Sequence, residues 1–506
     1  MSRNVIFLEG DPHINCQTDE GSVEVPSDLR IPASTEAEVE LPDHDDNASS
    51  CDPQPIQQEN HTVQPQAEVR ISSRSNKGKP PERLIETVNK AAHEATEPKS
   101  FTDALASTDS KKWIEAMNAE MESLQSNETW NLTTLPEGKT AIGCKWVYKT
   151  KTDELGNVVR YKARLVAQGF TQKYGDDYDE VFAPVARSAT LRTMLAIAGS
   201  QKMIVKHYDI QAAYLNGDLS HEVYMRQPKG YHQGDDSLVC KLKKSLYGLK
   251  QGANEWNKRL NNIFTSNMKF SRSKNDPCLY SKEQDGHWLY VSVHVDYLVM
   301  ATTSESMMVS FEGQMNEFVV MKDLGNLHHY LGIQIARDDD GIFVLHQKQY
   351  IEKKLREFRL TECRPSNIPV DPGYLRRQEV HECMPDRDVY RKAIGSLQYL
   401  ATNSRPDIAV GTSILARHVS CPTVADWTEV KRIFRYISHT KDMKLKLGDA
   451  SLITQRDSQL IGYADADWGG DAEDRKSNTG YVFKYLGAPL TWSSKKHSGD
   501  IVVYRG

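Results

Sequence analysis

The sequence lacks the features that would place the protein in a membrane or outside the cell. It contains no secretory signal and no apolar run of about eighteen residues, the length that a membrane-spanning helix needs. Its eight cysteines are scattered without a CxxC pair, so neither a zinc module nor a disulfide framework is expected. The sequence therefore predicts an intracellular protein with reduced thiols and no membrane partner.

Apolar residues are scarce in residues 1–95, which are rich in Pro, Ser, Glu, Asp and Gln. Such a composition cannot bury enough apolar surface to offset the entropy lost on ordering, so we expect a disordered tail. An acidic run at residues 36–46 precedes a basic run at residues 70–83. The basic run could contact nucleic acid, but a solvated tail is the simpler interpretation.

A strong excess of either charge is also missing. The formal net charge of -6 neither supports nor excludes nucleic acid as a partner, because it hides local basic surfaces. The chain of 506 residues is long enough for roughly two to four domains.

The most informative local pattern lies at residues 203–219, where an apolar, β-branched stretch runs up to Asp209 and small residues follow. It predicts a strand that presents one carboxylate at its end and then turns into a short helix. Further along the chain, two runs rich in Val, Leu and aromatic residues flank Asp296 and Tyr297. They predict a β-hairpin with Asp296 in a turn that no glycine relaxes, which favours a strained backbone there.

Two carboxylates on adjacent strand ends are what a two-metal phosphoryl-transfer site needs, because a pair of Mg²⁺ ions clamps the attacking and leaving oxygens. Carboxylate oxygens are also the hard ligands that Mg²⁺ prefers. The alternative is that Asp209 caps a helix and Asp296 fills an ordinary turn. On these residues alone both interpretations stay open.

Other segments give predictions of their own. Residues 110–126 show helical spacing of apolar residues, with Asp109 as N-cap, at Trp113, Met117, Met121 and Leu124. Alternation on both sides of Gly156 and Asn157 predicts a hairpin whose polar positions are basic, at Lys145, Lys149, Lys151, Arg160, Lys162 and Arg164. Such a face is commonly just solvated, but it could instead bind a triphosphate or a template backbone.

Downstream, the patterns within residues 321–335 and 341–358 predict a strand pair followed by an amphipathic helix. Two more helices are predicted, one at residues 390–410 and one at residues 424–436. Short strands are expected at residues 460–464, 480–486 and 489–494, and the first of them presents Asp465.

Several long blocks follow one another in order: GCKWVYKTK, RYKARLVAQGFTQ, DIQAAYLNGDL, KLKKSLYGLKQ, HVDYLVM and IGYADADWGG. This series, from about residue 113 to about residue 496, resembles the reverse transcriptase region of copia-type retrotransposon Pol polyproteins. The resemblance implies an α+β right-hand polymerase with fingers, palm and thumb. It also implies RNA-directed DNA polymerase activity with two Mg²⁺ ions, for which Mn²⁺ is a possible substitute. The implied partners are an RNA template, a DNA primer/template duplex and dNTPs.

The resemblance assigns the metal site residue by residue. Asp209 and Asp296 fall on the catalytic, metal-binding carboxylates of the palm, and the backbone carbonyl of Ile210 is a further metal ligand. Tyr297 stands where the family has a second adjacent aspartate. Losing that ligand could cost several kcal/mol in the transition state, and each ~1.4 kcal/mol is tenfold in rate. We therefore expect an impaired polymerase; the alternatives are a catalytically dead relic that only binds primer/template nucleic acid and an unstable fragment with no role.

The resemblance also assigns the nucleotide site. Lys162 and Arg164 would hold the triphosphate, and Tyr214 would lie under the sugar, where its ring excludes a 2′-hydroxyl. Gln251, in the SLYGLKQ segment, is the candidate nucleotide contact. Asn254 replaces a basic residue of the family, which makes a phosphate contact there doubtful.

Finally, the resemblance divides the chain. The expected parts are a disordered linker or tail (1–95), fingers with the start of the palm (96–205), the palm (206–340), the thumb or connection (341–450) and a truncated RNase H-like α/β domain (451–506). In the last part Asp465 falls on the first metal-binding carboxylate. One carboxylate cannot form a two-metal hydrolase site, so no RNase H activity is expected. An intact element would place the protein in cytoplasmic particles.

Overall fold

The computed structural model describes residues 97–152, 158–235, 237–374, 384, 386–454, 459–471 and 474–497. The expected disordered tail and the Gly156–Asn157 turn lie outside the described residues, as do residues 498–506. The described part has a mixed α+β fold, as predicted.

Helices occupy both halves of the described chain. They are α1 (Phe101–Ala106), α2 (Ser110–Ser126), α3 (Ser188–Ser200), α4 (Gly252–Asn262), α5 (Glu305–Asn316), α6 (Lys348–Glu357), α7 (Arg387–Asn403), α8 (Ala409–Ala416), α9 (Val424–His439) and α10 (Ala450–Thr454). Short 3-10 turns lie at Gly169–Thr171, Ala213–Asn216 and Pro406–Ile408, and a π-helical turn lies at Ile263–Asn267. Within this part of the chain, no helix is both long and apolar enough to cross a bilayer.

The strands are β1 (Trp130–Thr134), β2 (Cys144–Thr152), β3 (Val158–Ala167), β4 (Ile204–Ile210), β5 (Asp218–Arg226), β6 (Leu238–Lys244), β7 (Ser271–Arg272), β8 (Leu279–Gln284), β9 (His287–His294), β10 (Tyr297–Thr302), β11 (Met321–Asn326), β12 (His329–Tyr330), β13 (Ile333–Arg337), β14 (Phe343–His346), β15 (Leu445–Lys446), β16 (Leu460–Ala466), β17 (Asn478–Tyr485) and β18 (Ala488–Lys496). The sheets they form have the orders β1-β6-β5, β2-β3, β11-β4-β10-β9-β8-β7, β12-β13-β14-β15 and β16-β17-β18.

The six-stranded sheet has apolar residues on both faces, because α4 and α5 cover one face, and α3 with β13 and β14 covers the other. Successive side chains of a strand point to opposite faces, so Tyr208 and Ile210 of β4 join Phe264 and Phe311 in one core. Val205 of the same strand joins the core on the opposite face, with α3, β13 and β14. Burial on both sides fixes the register of β4, since a one-residue slip would exchange the two faces.

The predicted amphipathic helix and the basic hairpin are confirmed and pack against each other. Trp113 and Met117 of α2 are buried against Tyr148 of β2 and Leu165 of β3. The preceding helix α1 was missed, although Ser100 caps it by accepting a hydrogen bond from the Asp103 amide.

The single helix expected at residues 390–410 is wrong, because the structure divides it into α7, a 3-10 turn and α8. Pro406 explains the break, since it has no amide hydrogen and disfavours the helical conformation of the residue before it. Arg405 accordingly has φ -125° and ψ 70°, and its guanidinium binds the Asp407 carboxylate.

The three predicted C-terminal strands are confirmed as the sheet β16-β17-β18. This sheet is joined to α3 and α7 by Arg192, whose side chain is 5% exposed. Its guanidinium donates to the carbonyls of Leu490 (2.7 Å), Thr402 (3.0 Å) and Asn403 (3.2 Å), and stacks 4.2 Å from the centre of the Trp492 ring. Burial lowers the pKa of Arg192 to about 10, so the side chain remains charged at neutral pH.

We expect Arg192→Met to lower the free energy of unfolding by about 3 kcal/mol, because the bonds of the buried guanidinium to three backbone carbonyls are lost. Urea unfolding followed by circular dichroism measures this change. Arg187→Met, at an exposed position one turn before, is the matched control and should change stability by less than about 0.5 kcal/mol. Equal stabilities of the two variants would contradict the role given to Arg192.

Candidate active site

Asp209 lies where the sequence predicted it, at the end of a buried strand. It is the next-to-last residue of β4, and a 3-10 turn at Ala213–Asn216 follows it. Ala212 has φ 50°, the left-handed conformation, which turns the chain sharply away from the sheet. The carboxylate is therefore held at the rim of the six-stranded sheet.

Asp296 lies in the tight turn between β9 and β10, as predicted. Val295 has φ 59°, a costly conformation for a β-branched residue, so the predicted strain is confirmed. Two hydrogen bonds hold this turn in place: Trp256 Nε1 donates to the Val295 carbonyl (2.7 Å), and the Ile210 amide donates to the Asp296 carbonyl (2.7 Å). The second bond joins the two segments that carry the predicted carboxylates.

The structure brings the charges of Asp209 and Asp296 together. Burial raises the pKa of Asp209, and the neighbouring Asp296 carboxylate raises it further. Lys162, Lys151 and Lys322 act in the opposite direction. Two close carboxylates beside several cations form a site that suits a divalent cation and a polyphosphate.

Tyr297 is the first residue of β10 rather than part of the turn, and it pairs with Asp209 across the ladder. Its hydroxyl donates to the His329 carbonyl (2.6 Å) and is hydrogen-bonded to His207 Nδ1. Its ring packs edge-on against Tyr330, with centroids 5.5 Å apart. Burial raises the pKa of Tyr297 far above its ordinary value, so the hydroxyl is neutral and supplies no anionic ligand.

Other carboxylates near this part of the sequence are engaged elsewhere. Asp218, in β5, pairs with Lys244, and Glu222 pairs with Lys241. Among the residues that the structure describes, no group of three or more His, Cys, Asp or Glu side chains could hold a metal ion. The candidate metal site thus consists of two carboxylates.

The basic hairpin places its cations beside these carboxylates. Lys162 and Arg164 lie in β3, and Lys162 pairs with Lys149 of β2. Burial lowers the pKa of Lys162, and the nearby Arg164 and Lys151 lower it further. Such crowding of like charges would be relieved by a bound anion.

Tyr214 and Tyr247 form an aromatic pair next to Arg164. The two rings meet edge to face, with centroids 4.6 Å apart and an interplanar angle of 86°. The Arg164 guanidinium lies 4.5 Å from the centre of the Tyr247 ring. Tyr247 was missed in the sequence, although it stands directly before Gly248 in the SLYGLKQ segment.

Gln251 is 2% exposed, and both ends of its amide are engaged within the protein. Its Oε1 accepts from Gln172 Nε2 (3.0 Å), and its Nε2 donates to the Asp177 carbonyl (2.8 Å). In this structure the side chain secures the loop after β3, and a nucleotide contact would require these bonds to break. Asn254 is likewise buried and donates to the Phe182 carbonyl.

Gly248 allows the SLYGLKQ segment to lie directly against the end of β3. It has φ +92°, and a Cβ atom there would lie 2.1 Å from the Ala167 carbonyl oxygen. The Ala167 amide in turn donates to the Tyr247 carbonyl (2.8 Å). This close contact fixes Tyr247 relative to the basic hairpin.

Asp465 lies in β16, as predicted, with an exposed side chain. The neighbouring Asp467 accepts hydrogen bonds from the Asn478 amide (2.8 Å) and side chain (3.0 Å). Its role there is to hold the start of β17, and Asp465 as a metal-binding carboxylate stays a prediction.

A protein-family model identifies the class of protein to which the chain belongs. A protein-family model described as "Reverse transcriptase (RNA-dependent DNA polymerase)" matches residues 127–372, which include the candidate carboxylates and the basic hairpin. Among solved structures, a foamy viral protease-reverse transcriptase in complex with double-stranded DNA aligns with a TM-score of 0.39 and 9% identity, over 76% of this chain and 56% of that one.

Two curated relatives identify the family within this class of protein. The retrovirus-related Pol polyprotein from transposon TNT 1-94 of Nicotiana tabacum is 37% identical over 409 residues, which cover 79% of this chain and 30% of that protein. The corresponding polyprotein from transposon RE1 of Arabidopsis thaliana is 34% identical over 409 residues, covering 80% and 27%. The chain belongs to the reverse transcriptase family of copia-type retrotransposon Pol polyproteins. It spans less than a third of the length of these two relatives.

We expect Asp296→Asn to lower the pKa of Asp209, because the negative charge that disfavours ionisation of Asp209 is removed. Lys162→Met should raise the same pKa, since a stabilising cation is lost. A pH titration of the Asp209 carboxyl carbon by ¹³C NMR, assigned with Asp209→Asn, measures both shifts.

The control for this titration is Asp339→Asn, an exposed carboxylate between β13 and β14. It should leave the pKa of Asp209 unchanged. An Asp209 pKa that responds equally to Asp296→Asn and Asp339→Asn would show that the two predicted carboxylates do not interact.

Proposed function

We propose that the chain is the RNA-directed DNA polymerase, or reverse transcriptase, of a copia-type retrotransposon. It would extend a DNA primer on an RNA template with dNTPs by two-metal nucleotidyl transfer. The observation that carries this proposal is the hydrogen bond from the Ile210 amide to the Asp296 carbonyl, which joins the two carboxylate-bearing segments. The basic hairpin beside them supports a polyphosphate substrate.

The proposal gives each part of the fold a role in a right-hand polymerase. The six-stranded sheet with α4 and α5 would be the palm, and the hairpin β2-β3 with α2 would belong to the fingers. Helices α6 to α9 would form the thumb or connection, and the sheet β16-β17-β18 would open an RNase H-like domain around Asp465. The expected boundaries at residues 95, 205, 340 and 450 stay part of this proposal.

The donor atoms at the site fit a divalent cation. Asp209 and Asp296 repel each other, and a cation held by both would remove that repulsion. They would hold Mg²⁺ together with the Ile210 carbonyl, as two ions in the complete site, and Mn²⁺ could replace it. When bound, Mg²⁺ supplies positive charge that stabilises the transferring phosphoryl group.

The chain's own side chains would do the remaining work. Lys162 and Arg164 would bind and orient the triphosphate, because the Lys162 charge acts on Asp209 and Arg164 lies beside Lys162 on the same hairpin. Burial raises the pKa of Tyr214, and the nearby Asp296 raises it further. The Tyr214 ring would lie against the sugar of the nucleotide.

We further propose that catalysis is impaired. Tyr297 occupies the position at which a third carboxylate is expected, and its hydroxyl is neutral and bonded to His207 and His329. The metal site would therefore have less negative charge with which to hold two divalent cations. The second candidate function, a relic that only binds primer/template nucleic acid, is favoured by the same observation.

We expect Tyr297→Asp to increase primer extension by about tenfold or more, because it restores a hard anionic ligand. The assay uses oligo(dT) on poly(rA), with Mg²⁺ and with Mn²⁺, and circular dichroism verifies folding. Tyr297→Asn is the matched control: it removes the same ring contacts but adds no charge, so it should give no gain.

Three outcomes are informative for this assay. Equal rates for wild type and Tyr297→Asp, or an equal gain in Tyr297→Asn, would contradict the proposed impairment. Duplex binding without synthesis by any variant would favour the nucleic-acid-binding relic. Activity that survives Asp209→Asn would contradict the assignment of the site.

A further inference from the structure

Tyr247 is in contact with both halves of the proposed nucleotide site. Its ring lies under the Arg164 guanidinium, 4.5 Å from centroid to cation, and meets the Tyr214 ring at 4.6 Å. One side chain thus touches the residue proposed for the triphosphate and the residue proposed for the sugar.

We propose that Tyr247 is a positioning residue for nucleotide selection, which sets the place of the Tyr214 ring relative to the Arg164 guanidinium. Discrimination between deoxyribonucleotides and ribonucleotides then depends on the Tyr247 ring, although it is Tyr214 that lies against the sugar. This inference rests on the proposed polymerase function.

The contacts on Tyr247 suit this role because both are directional. A guanidinium is attracted to the face of an aromatic ring, whereas two neighbouring aromatic rings favour an edge-to-face arrangement. Tyr247 makes one contact of each kind. A shift of its ring would therefore move Arg164 and Tyr214 together.

The backbone of Tyr247 is held firmly enough to act as a reference point. Its carbonyl accepts from the Ala167 amide (2.8 Å), and Gly248 packs without space for a Cβ atom. Further along the same segment, Gln251 is bonded to Gln172. The segment thus connects the end of β3 with the start of α4, between the hairpin and the palm.

The surroundings of the Tyr247 hydroxyl place the residue inside the site. Asp296 and Arg164 both act on its ionisation, in opposite directions, and burial raises its pKa to about 12. The hydroxyl is therefore protonated at neutral pH. The proposed role depends on the ring, so Tyr247→Phe should preserve it.

The test measures nucleotide binding without chemistry. A complex of the protein with a dideoxy-terminated primer on an RNA template, in Mg²⁺, is challenged with the complementary dNTP or with the matching rNTP. The stability of each complex in a gel-shift competition gives the ratio of the affinity for the dNTP to the affinity for the rNTP. The assay is run with the wild-type chain and in the Tyr297→Asp background.

We expect Tyr247→Phe to keep the ratio within about twofold of its parent and Tyr247→Leu to reduce it by about tenfold, because the displaced Tyr214 ring no longer excludes the rNTP. In a double-mutant cycle, Tyr247→Leu should have little further effect on the ratio in a Tyr214→Leu chain. A purely structural role would lower both affinities equally and leave the ratio unchanged.

Tyr350→Leu is the matched control. Tyr350 meets the Tyr399 ring at 4.7 Å and has Lys354 over its face at 5.5 Å, so it reproduces the same three-residue arrangement in the helical part of the fold. It should leave the ratio unchanged.

The outcomes separate this inference from the function on which it rests. An unchanged ratio in Tyr247→Leu, or an equal loss in Tyr350→Leu, overturns the role of Tyr247 and leaves the polymerase proposal standing. Absence of any nucleotide-dependent complex in both backgrounds overturns the polymerase proposal, and the inference with it.

Discussion

The hydrogen bond from the Ile210 amide to the Asp296 carbonyl, 2.7 Å long, determines how the rest of the site is arranged. It joins the end of β4 to the turn between β9 and β10, which are far apart in sequence. The turn would relax if it were free, because Val295 has φ 59°. Trp256 prevents this by donating to the Val295 carbonyl, and the buried faces of the sheet fix the register of β4. The strain at the site is thus offset by packing elsewhere.

Tyr297 also makes packing contacts of its own beside the proposed metal site. The tyrosine ring packs on Tyr330, and its hydroxyl is bonded to His207 and His329. These contacts stabilise the sheet beside the site while they leave it with less negative charge. Tyr297→Asp would therefore lose these packing contacts and gain affinity for the metal. We expect it to lower the free energy of unfolding while it raises polymerase activity.

The features that the sequence predicted correctly are those that depend on local periodicity. Asp209 at a strand end and Asp296 in a strained turn follow from runs of apolar residues and the absence of glycine, so both were found without coordinates. The helix break at Pro406 was missed because the apolar pattern continues across it. The nucleotide contact expected of Gln251 stays a prediction, but its bond to Gln172, 79 residues away, was missed because no local pattern reveals such a partner. Tyr247 was missed for the same reason, since its partners, Arg164 of β3 and Tyr214 of the 3-10 turn after β4, are distant in sequence.

We propose that Asp209 and Asp296 share a divalent cation, and the affinity of the chain for Mn²⁺ measures this. Electron paramagnetic resonance of free Mn²⁺, titrated with the wild-type chain, Asp209→Asn, Asp296→Asn and Asp218→Asn, gives the affinity of each. On this proposal, Asp209→Asn and Asp296→Asn each weaken Mn²⁺ binding strongly, while Asp218→Asn, whose wild-type carboxylate pairs with Lys244, binds Mn²⁺ as the wild type does. Wild-type affinity in both Asp209→Asn and Asp296→Asn would contradict it.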